Sequence, residues 1–131
     1  MSEANKELVR RYLRAMASGD PSLPGYFTDD VTWWVPPSPP LGGLHEGKAK
    51  VLELMGSGVS LYDASVPFEI EIEAIVADAE WVALQMVMRA RTAKGAAYRN
   101  HYHWAFRIRD GRICAVKEYV DTLYAQKMLF E

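Results

Sequence analysis

The second half of the chain consists of segments in which apolar and polar residues alternate, and this pattern restricts the fold more than any other feature. Residues 68–73 read Phe-Glu-Ile-Glu-Ile-Glu, and such alternation is typical of a strand with one buried face. Turn signals at Asp78-Ala79, Lys94-Gly95 and Asp110-Gly111 separate three further strand-like segments, residues 80–91, 97–109 and 112–120. We therefore predict a meander of antiparallel strands.

The first half carries helical patterns instead. Leu8, Tyr12 and Met16 lie on one stripe of residues 3–18, which predicts an amphipathic helix. A second helix is predicted at residues 47–55. The segments between these helices are predicted to be a short helix or turn at 23–27, a strand at 31–35 and a stiff proline-rich loop at 36–40. Helices followed by a strand meander indicate the α+β class.

Composition limits the classes of function. The 131 residues, half of them apolar, suit a single domain spanning residues 1–131. Fifteen basic and 17 acidic residues give a net charge of -2, so we expect no nucleic-acid partner. No apolar run approaches the roughly 20 residues that cross a bilayer. The single Cys114 and the polar N-terminus indicate a cytoplasmic protein without an internal disulfide.

Motifs at both ends carry a family resemblance. They are Arg11-Tyr12, Gly19-Asp20, residues 27–31, residues 110–113 and residues 118–122. In this order of elements the chain resembles the nuclear-transport-factor-two-like superfamily, which includes ketosteroid isomerases, SnoaL-like polyketide cyclases and limonene epoxide hydrolases. The resemblance implies a cone-shaped domain in which N-terminal helices pack on a curved antiparallel sheet, a cystatin-like roll. It also implies an apolar pocket and a homodimer through the convex sheet face. It does not specify the reaction, because many chemistries share this fold.

The hairpin at Asp110-Gly111 determines which side chains face the pocket. A two-residue turn would put His101 and His103 on the same face as Glu118, whereas a three-residue turn with a glycine bulge shifts the register by one. We favour the bulge, because the aromatic face then turns inward. That face carries Tyr98, Asn100, Tyr102 and Trp104 together with Val116, Glu118 and Val120.

Glu118 is the first candidate catalytic residue. A carboxyl group between Tyr102 and Trp104 would be poorly solvated, which raises its pKa and suits a general acid or base. The alternative is a structural glutamate, fixed by hydrogen bonds to Tyr12, Tyr102 or Asn100.

Tyr12 is the second catalytic candidate, and it rests on the resemblance. It matches the ketosteroid isomerase tyrosine that donates a hydrogen bond to the substrate oxygen; the alternative is a tyrosine that closes the core. The two carboxyl groups of that family correspond to Trp104 and Val35, so the resemblance does not imply a standard steroid isomerase.

The catalytic residues of limonene epoxide hydrolases are also mostly missing from the matching positions of this sequence. The arginine and aspartate of that family fall near Leu84 and Met86, and its water-binding tyrosine and asparagine fall near Trp33 and Val35. Only Glu118 keeps an acid at the matching position.

The predicted pocket binds a small apolar organic molecule. Its wall is predicted to contain Trp33, Val35, Met55, Leu84, Met86, Asn100, Tyr102, Trp104, Val116 and Val120. Trp34 and Met88 are further candidates for this apolar lining. The alternative for each is ordinary core.

The histidines offer a different arrangement. By resemblance, His101 or His103 with Asp121 could form a cyclase-type acid–base pair, but the favoured register puts them on the convex face. There Arg99 would meet Asp121, and the histidines would lie at a dimer interface. His45 is predicted in a loop near the pocket mouth.

No metal or cofactor is expected. His101-x-His103 lacks a completing set of carboxylates or thiols, and the sequence has no phosphate-binding glycine loop or dinucleotide fingerprint. Two functions remain open, a cofactor-independent SnoaL-like enzyme and a non-catalytic ligand-binding or accessory module.

Overall fold

The computed structural model describes residues 2–38 and 40–131, so Met1 and Pro39 of the predicted proline-rich loop lie outside the described residues. The α+β class is confirmed. The helices are α1 (Ser2–Ser18), α2 (Lys48–Val59) and α3 (Thr122–Leu129), with a short 3-10 helix at Leu23–Tyr26. The strands are β1 (Phe27–Val35), β2 (Gly43–Glu46), β3 (Glu69–Asp78), β4 (Trp81–Arg91), β5 (Ala97–Arg109) and β6 (Arg112–Val120).

All six strands form one curved sheet in the order β2-β1-β6-β5-β4-β3. Strands β3 to β6 form the predicted antiparallel meander. Strand β1 adds to β6 in parallel, and β2 closes that edge antiparallel to β1. Helix α1 packs on β3 and β4, and α2 packs on β1 and β2. One face of the sheet is therefore covered by helices, while the convex face is not.

Two elements were not predicted. Strand β2 carries His45 opposite Trp33, so the prediction that His45 lies in a loop is wrong; its ring instead bonds the Leu41 carbonyl at 2.9 Å. Helix α3 begins because the Asp121 side chain accepts a hydrogen bond from the backbone N–H of Tyr124 at 3.2 Å. This cap, with helically spaced apolar residues after it, is a signal that could have predicted α3.

The β5–β6 hairpin contains a bulge, as predicted, but the unpaired residue lies in β6 and not in the turn. Asp110 and Gly111 both have positive φ, 52° and 73°, which is the two-residue type I′ turn. The predicted three-residue turn is therefore wrong. The extra residue is Cys114, because Ile108 pairs with Ile113 while Arg107 pairs with Ala115. A bulge at Cys114 shifts the register by one, as the predicted turn would have done.

The side chains of β5 and β6 therefore lie on the faces of the sheet that were predicted for them. Trp104 lies opposite Glu118 on the helix-covered face, and His101, His103 and Tyr119 are exposed on the convex face. The predicted meeting of Arg99 with Asp121 does not occur. Asp121 caps α3 instead, and the guanidinium of Arg99 lies 3.4 Å from the His101 ring.

Among the described residues, no helix is both long and apolar enough to cross a membrane.

Candidate functional site

A cavity of about 180 Å³ lies between the covered face of the sheet and the three helices. Apart from indole and phenol groups and the carboxyl of Glu118, its wall is apolar. The side chains from helices and loops are Met16, Pro40, Leu41, Leu54, Met55, Val59, Leu61, Tyr62, Phe68, Ala125, Leu129 and Phe130. The sheet contributes Trp33, Val35, Met88, Tyr98, Tyr102, Trp104, Glu118 and Val120.

Six of the ten residues predicted for the wall lie in it, namely Trp33, Val35, Met55, Tyr102, Trp104 and Val120. The other four require correction. Leu84 and Met86 are fully buried core on β4, which α1 covers. Val116 is flanked by Trp33 and Phe106 in the register and is likewise closed off.

Asn100 is the fourth correction, since it is buried but outside the wall. Its side-chain amide donates to the Tyr98 hydroxyl at 2.9 Å and to the Asp121 carbonyl at 3.2 Å. Its carbonyl oxygen accepts from the backbone N–H of His101. Both polar atoms of the side chain are thus engaged within the protein.

Trp34 also departs from its predicted place. It points to the convex face, where its ring lies 5.1 Å from that of Tyr119. Neighbouring residues of a strand face opposite ways, so Trp33 and Trp34 cannot both line the cavity.

Sequence reasoning missed several wall residues that come from outside the strands, although Met55 on α2 was predicted. Among those missed are Tyr62 and Phe68 after α2, together with Ala125, Leu129 and Phe130 at the C-terminal end. The apolar spacing after Asp121 would have indicated the last three. No comparable signal exists for Tyr62, because it lies in a connection without regular periodicity.

Glu118 is partly buried, and its carboxylate accepts a hydrogen bond from the indole N–H of Trp33 at 2.9 Å. Burial raises the pKa of Glu118 to about 7, and the Trp33 hydrogen bond opposes this rise. The partners predicted for Glu118 were Tyr12, Tyr102 and Asn100, and none of them bonds to it. The carboxyl can therefore be either ionised or protonated near neutral pH, which both a general base and a general acid require.

Tyr12 lies behind the wall rather than in it. Its ring is fully buried and packs edge-on against Tyr26, Phe27 and Phe106. Burial, with a smaller contribution from the charge of Glu118, raises the pKa of Tyr12. The hydroxyl has no hydrogen-bond partner among the described residues.

A phenol cluster, formed by Tyr62, Tyr98 and Tyr102, belongs to the wall. The hydroxyls of Tyr98 and Tyr102 are 2.8 Å apart, and the ring of Tyr62 packs edge-on against Tyr98. Burial raises the pKa of all three phenols. They therefore stay protonated at neutral pH and act as hydrogen-bond donors.

Within the described residues, no group of three or more His, Cys, Asp or Glu side chains could hold a metal ion.

Comparisons with solved structures show the same fold in other proteins. A nuclear-transport-factor-two-like protein from Burkholderia xenovorans LB400 is 23% identical, with a TM-score of 0.78 and 98% of each chain covered. A protein of unknown function with a cystatin-like fold from Xanthomonas campestris is 21% identical, with a TM-score of 0.84 over 97% of this chain and 98% of that one. TerC, co-crystallised with polyporic acid, is 16% identical, with a TM-score of 0.83 over 98% and 99% of the two chains.

Comparison with curated proteins finds no match. The family model that describes the SnoaL-like domain matches residues 9–116, from the middle of α1 to β6. This match covers most of the chain and includes the strands that carry Trp33 and Trp104. The chain therefore belongs to the SnoaL-like domain family.

Proposed function

We propose that this protein is a small-molecule enzyme that needs no cofactor and uses Glu118 as its acid–base group. The observation that carries the proposal is one carboxyl group in an otherwise apolar and aromatic cavity, with its pKa raised to about 7 by burial. Raised carboxyl pKa values are frequent at catalytic sites, because they match the proton affinity of the group to neutral pH.

The proposed step is proton removal from a carbon next to a carbonyl group. The ionised carboxylate of Glu118 takes the proton, the C–H bond breaks, and its electron pair moves onto the carbonyl oxygen as an enolate. Tyr102 then donates a hydrogen bond to that oxygen. Asn100 and Tyr98 support this role, since a Tyr98 hydroxyl that accepts from Asn100 can donate to Tyr102 and leave the Tyr102 proton free. Glu118 then returns the proton to another carbon of the conjugated enolate, and the electron pair on oxygen re-forms the C=O bond.

The test uses β-tetralone, an apolar ketone with exchangeable protons on the carbons next to its carbonyl group. NMR in deuterium oxide measures the rate at which deuterium replaces these protons. We expect exchange faster than in buffer, rising with pH through about 7 as Glu118 ionises. Glu118→Gln should return exchange to the buffer rate, because general-base catalysis supplies roughly a hundredfold or more. Glu53→Gln, an exposed carboxyl on α2, is the matched control. Exchange that survives in Glu118→Gln would refute the proposed base.

The second candidate is a non-catalytic ligand-binding or accessory module. Glu118 is the only carboxyl group in the described wall, and Trp33 already holds it. A module of this kind would bind apolar ketones with no exchange in the wild type. TerC, which has a similar fold and was co-crystallised with polyporic acid, supports ligand binding under either proposal.

We also propose a cytoplasmic homodimer through the convex face of the sheet. Arg99, His101, His103 and Tyr119 lie on that face, beside Trp34. Tyr119 is 44% exposed and Leu44, which neighbours Trp34 in the register, is 57% exposed. Aromatic side chains and arginine, both present on this face, are enriched at protein interfaces.

A further inference from the structure

We infer that the cavity binds apolar amines as ammonium ions, with Glu118 as their counter-ion. This inference goes beyond the proposed function, which assigns a neutral ketone to the cavity, and it does not depend on Glu118 acting as a base.

The first step is an unpaired carboxylate oxygen that a ligand can reach. The indole of Trp33 donates to Oε1 of Glu118 at 2.9 Å, and no other described residue donates to this carboxylate. Oε2 is nevertheless not one of the fully buried unpaired atoms of residues 2–38 and 40–131, which are Tyr12 Oη and Trp104 Nε1. Oε2 therefore keeps accessible surface. Because Glu118 is a wall residue on the helix-covered face, that surface opens into the cavity.

The second step is that the described wall provides no positive partner for this carboxylate. No Lys, Arg or His belongs to that wall, and the ion pairs of the described residues do not include Glu118. A carboxylate in an apolar cavity is unfavourable unless it is paired, and burial accordingly raises the pKa of Glu118 to about 7. A cation carried by the ligand would supply the missing partner.

The third step separates organic from inorganic cations. Calcium and magnesium ions take about six or more oxygen ligands, whereas Glu118 is the only carboxyl group in the described wall. The described residues also contain no group of three or more His, Cys, Asp or Glu side chains that could hold a metal ion. The cation that fits an apolar and aromatic wall is one whose remaining surface is itself apolar.

The fourth step is the aromatic surrounding of the carboxylate. Trp33 bonds to Glu118, and Trp104 lies directly opposite it in the β5–β6 register. An ammonium group bound to Oε2 would therefore lie close to two indoles, the aromatic groups that attract cations most strongly. The other aromatic side chains of the wall are Tyr62, Phe68, Tyr98, Tyr102 and Phe130.

The fifth step concerns desolvation. Burying an ion pair removes both ions from water, and this cost can exceed their attraction. In this cavity the carboxyl group of Glu118 has already lost most of its water when the protein folds, so binding adds only the desolvation of the ammonium group. Burial of the apolar part of the ligand against the wall offsets that cost.

The experiment compares 1-phenylethylamine with acetophenone, which has the same carbon skeleton. At about pH 8 the amine is a cation, the ketone is neutral and Glu118 is mostly ionised. NMR titration measures the affinity of the wild type and of Glu118→Gln for each probe. We expect the affinity ratio of amine to ketone to fall about tenfold or more in Glu118→Gln, the effect of a hydrogen bond between charged groups. Glu53→Gln, an exposed carboxyl on α2, should leave the ratio unchanged.

The pH dependence of the wild type is a second test that needs no variant. The ratio should fall as pH is lowered from about 8 to about 5, because protonation removes the charge of Glu118. The other titratable groups of the described wall are Tyr62, Tyr98 and Tyr102, with Tyr12 behind them. Burial raises the pKa of these phenols, so they stay neutral across this range.

A ratio that stays within twofold in Glu118→Gln would overturn the inference, and so would a wild type that binds neither probe. Hydrogen exchange into β-tetralone separates the inference from the proposed function. A wild type that shows the expected ratio but catalyses no exchange would support amine binding and refute Glu118 as the base. Exchange that depends on Glu118, together with an unchanged ratio, would do the opposite.

Discussion

At the scale of single residues, Glu118 binds its proton more tightly in the folded protein than in the unfolded chain. Its pKa rises from 4.5 to about 7, because the surrounding wall keeps water from the carboxyl group. A raised folded-state pKa favours folding most below the unfolded value, and the advantage is lost as pH rises through the folded value. The free energy of unfolding should therefore fall by up to about 3 kcal/mol between these two pKa values.

Glu118→Gln should remove this pH dependence, because an amide does not titrate. We expect the variant to be more stable than the wild type at about pH 8 and close to it at about pH 5. Urea unfolding across this range measures the difference, with Glu53→Gln as the exposed control. An unchanged slope of stability against pH in Glu118→Gln would show that the carboxyl titrates normally in the folded state.

At the scale of elements, the turn between β5 and β6 depends on positive φ angles. Gly111 has a φ of 73°, and a Cβ atom built there meets nothing within 4 Å. Gly111→Ala should therefore cost about 1 kcal/mol through backbone strain alone. Gly56→Ala, in the interior of α2 and equally free of clashes, should instead stabilise by about 0.5–1 kcal/mol. Denaturant unfolding distinguishes the two, and the same sign for both would contradict this account.

Helix α3 closes one side of the cavity, and its first turn depends on the Asp121 cap. Asp121→Ala should lower the free energy of unfolding by about 1 kcal/mol and weaken acetophenone binding. Asp121→Asn is the matched control, because asparagine also caps helices and should retain most of both properties. Equal losses in the two variants would indicate that the charge of Asp121, rather than its cap, is what matters.

At the scale of the whole molecule, the proposed dimer places the convex faces of two copies together. Tyr119→Arg would introduce a charge at the centre of that face, beside Trp34 and His103, and should produce monomers. Leu123→Arg, at a 65% exposed position on α3, should leave assembly unchanged. Light scattering at micromolar concentration gives the result. A wild type that is monomeric under these conditions would refute the dimer.

The sequence by itself determined the α+β class and the order of the elements it predicted, although β2 and α3 were not among them. Period-two alternation predicted β5 and β6 at the residues where they occur, because one buried face makes every second residue apolar. The apolar residues at helical spacing predicted α1, because a helix with one buried face is apolar along one stripe. The shared inward face of Tyr102, Trp104 and Glu118 was also predicted, but from a turn that does not occur; the bulge at Cys114 produces the same register.

The tertiary structure decided where the register shifts and which inward residues reach the cavity. The bulge at Cys114 leaves no mark in the sequence, because Ile113 and Cys114 are both apolar and both buried. Alternation says which face of a strand is covered but not what covers it. Packing of α1 closes off Met86, whereas the cavity remains open above Trp104. That difference depends on contacts between distant segments, which no local pattern of residues records.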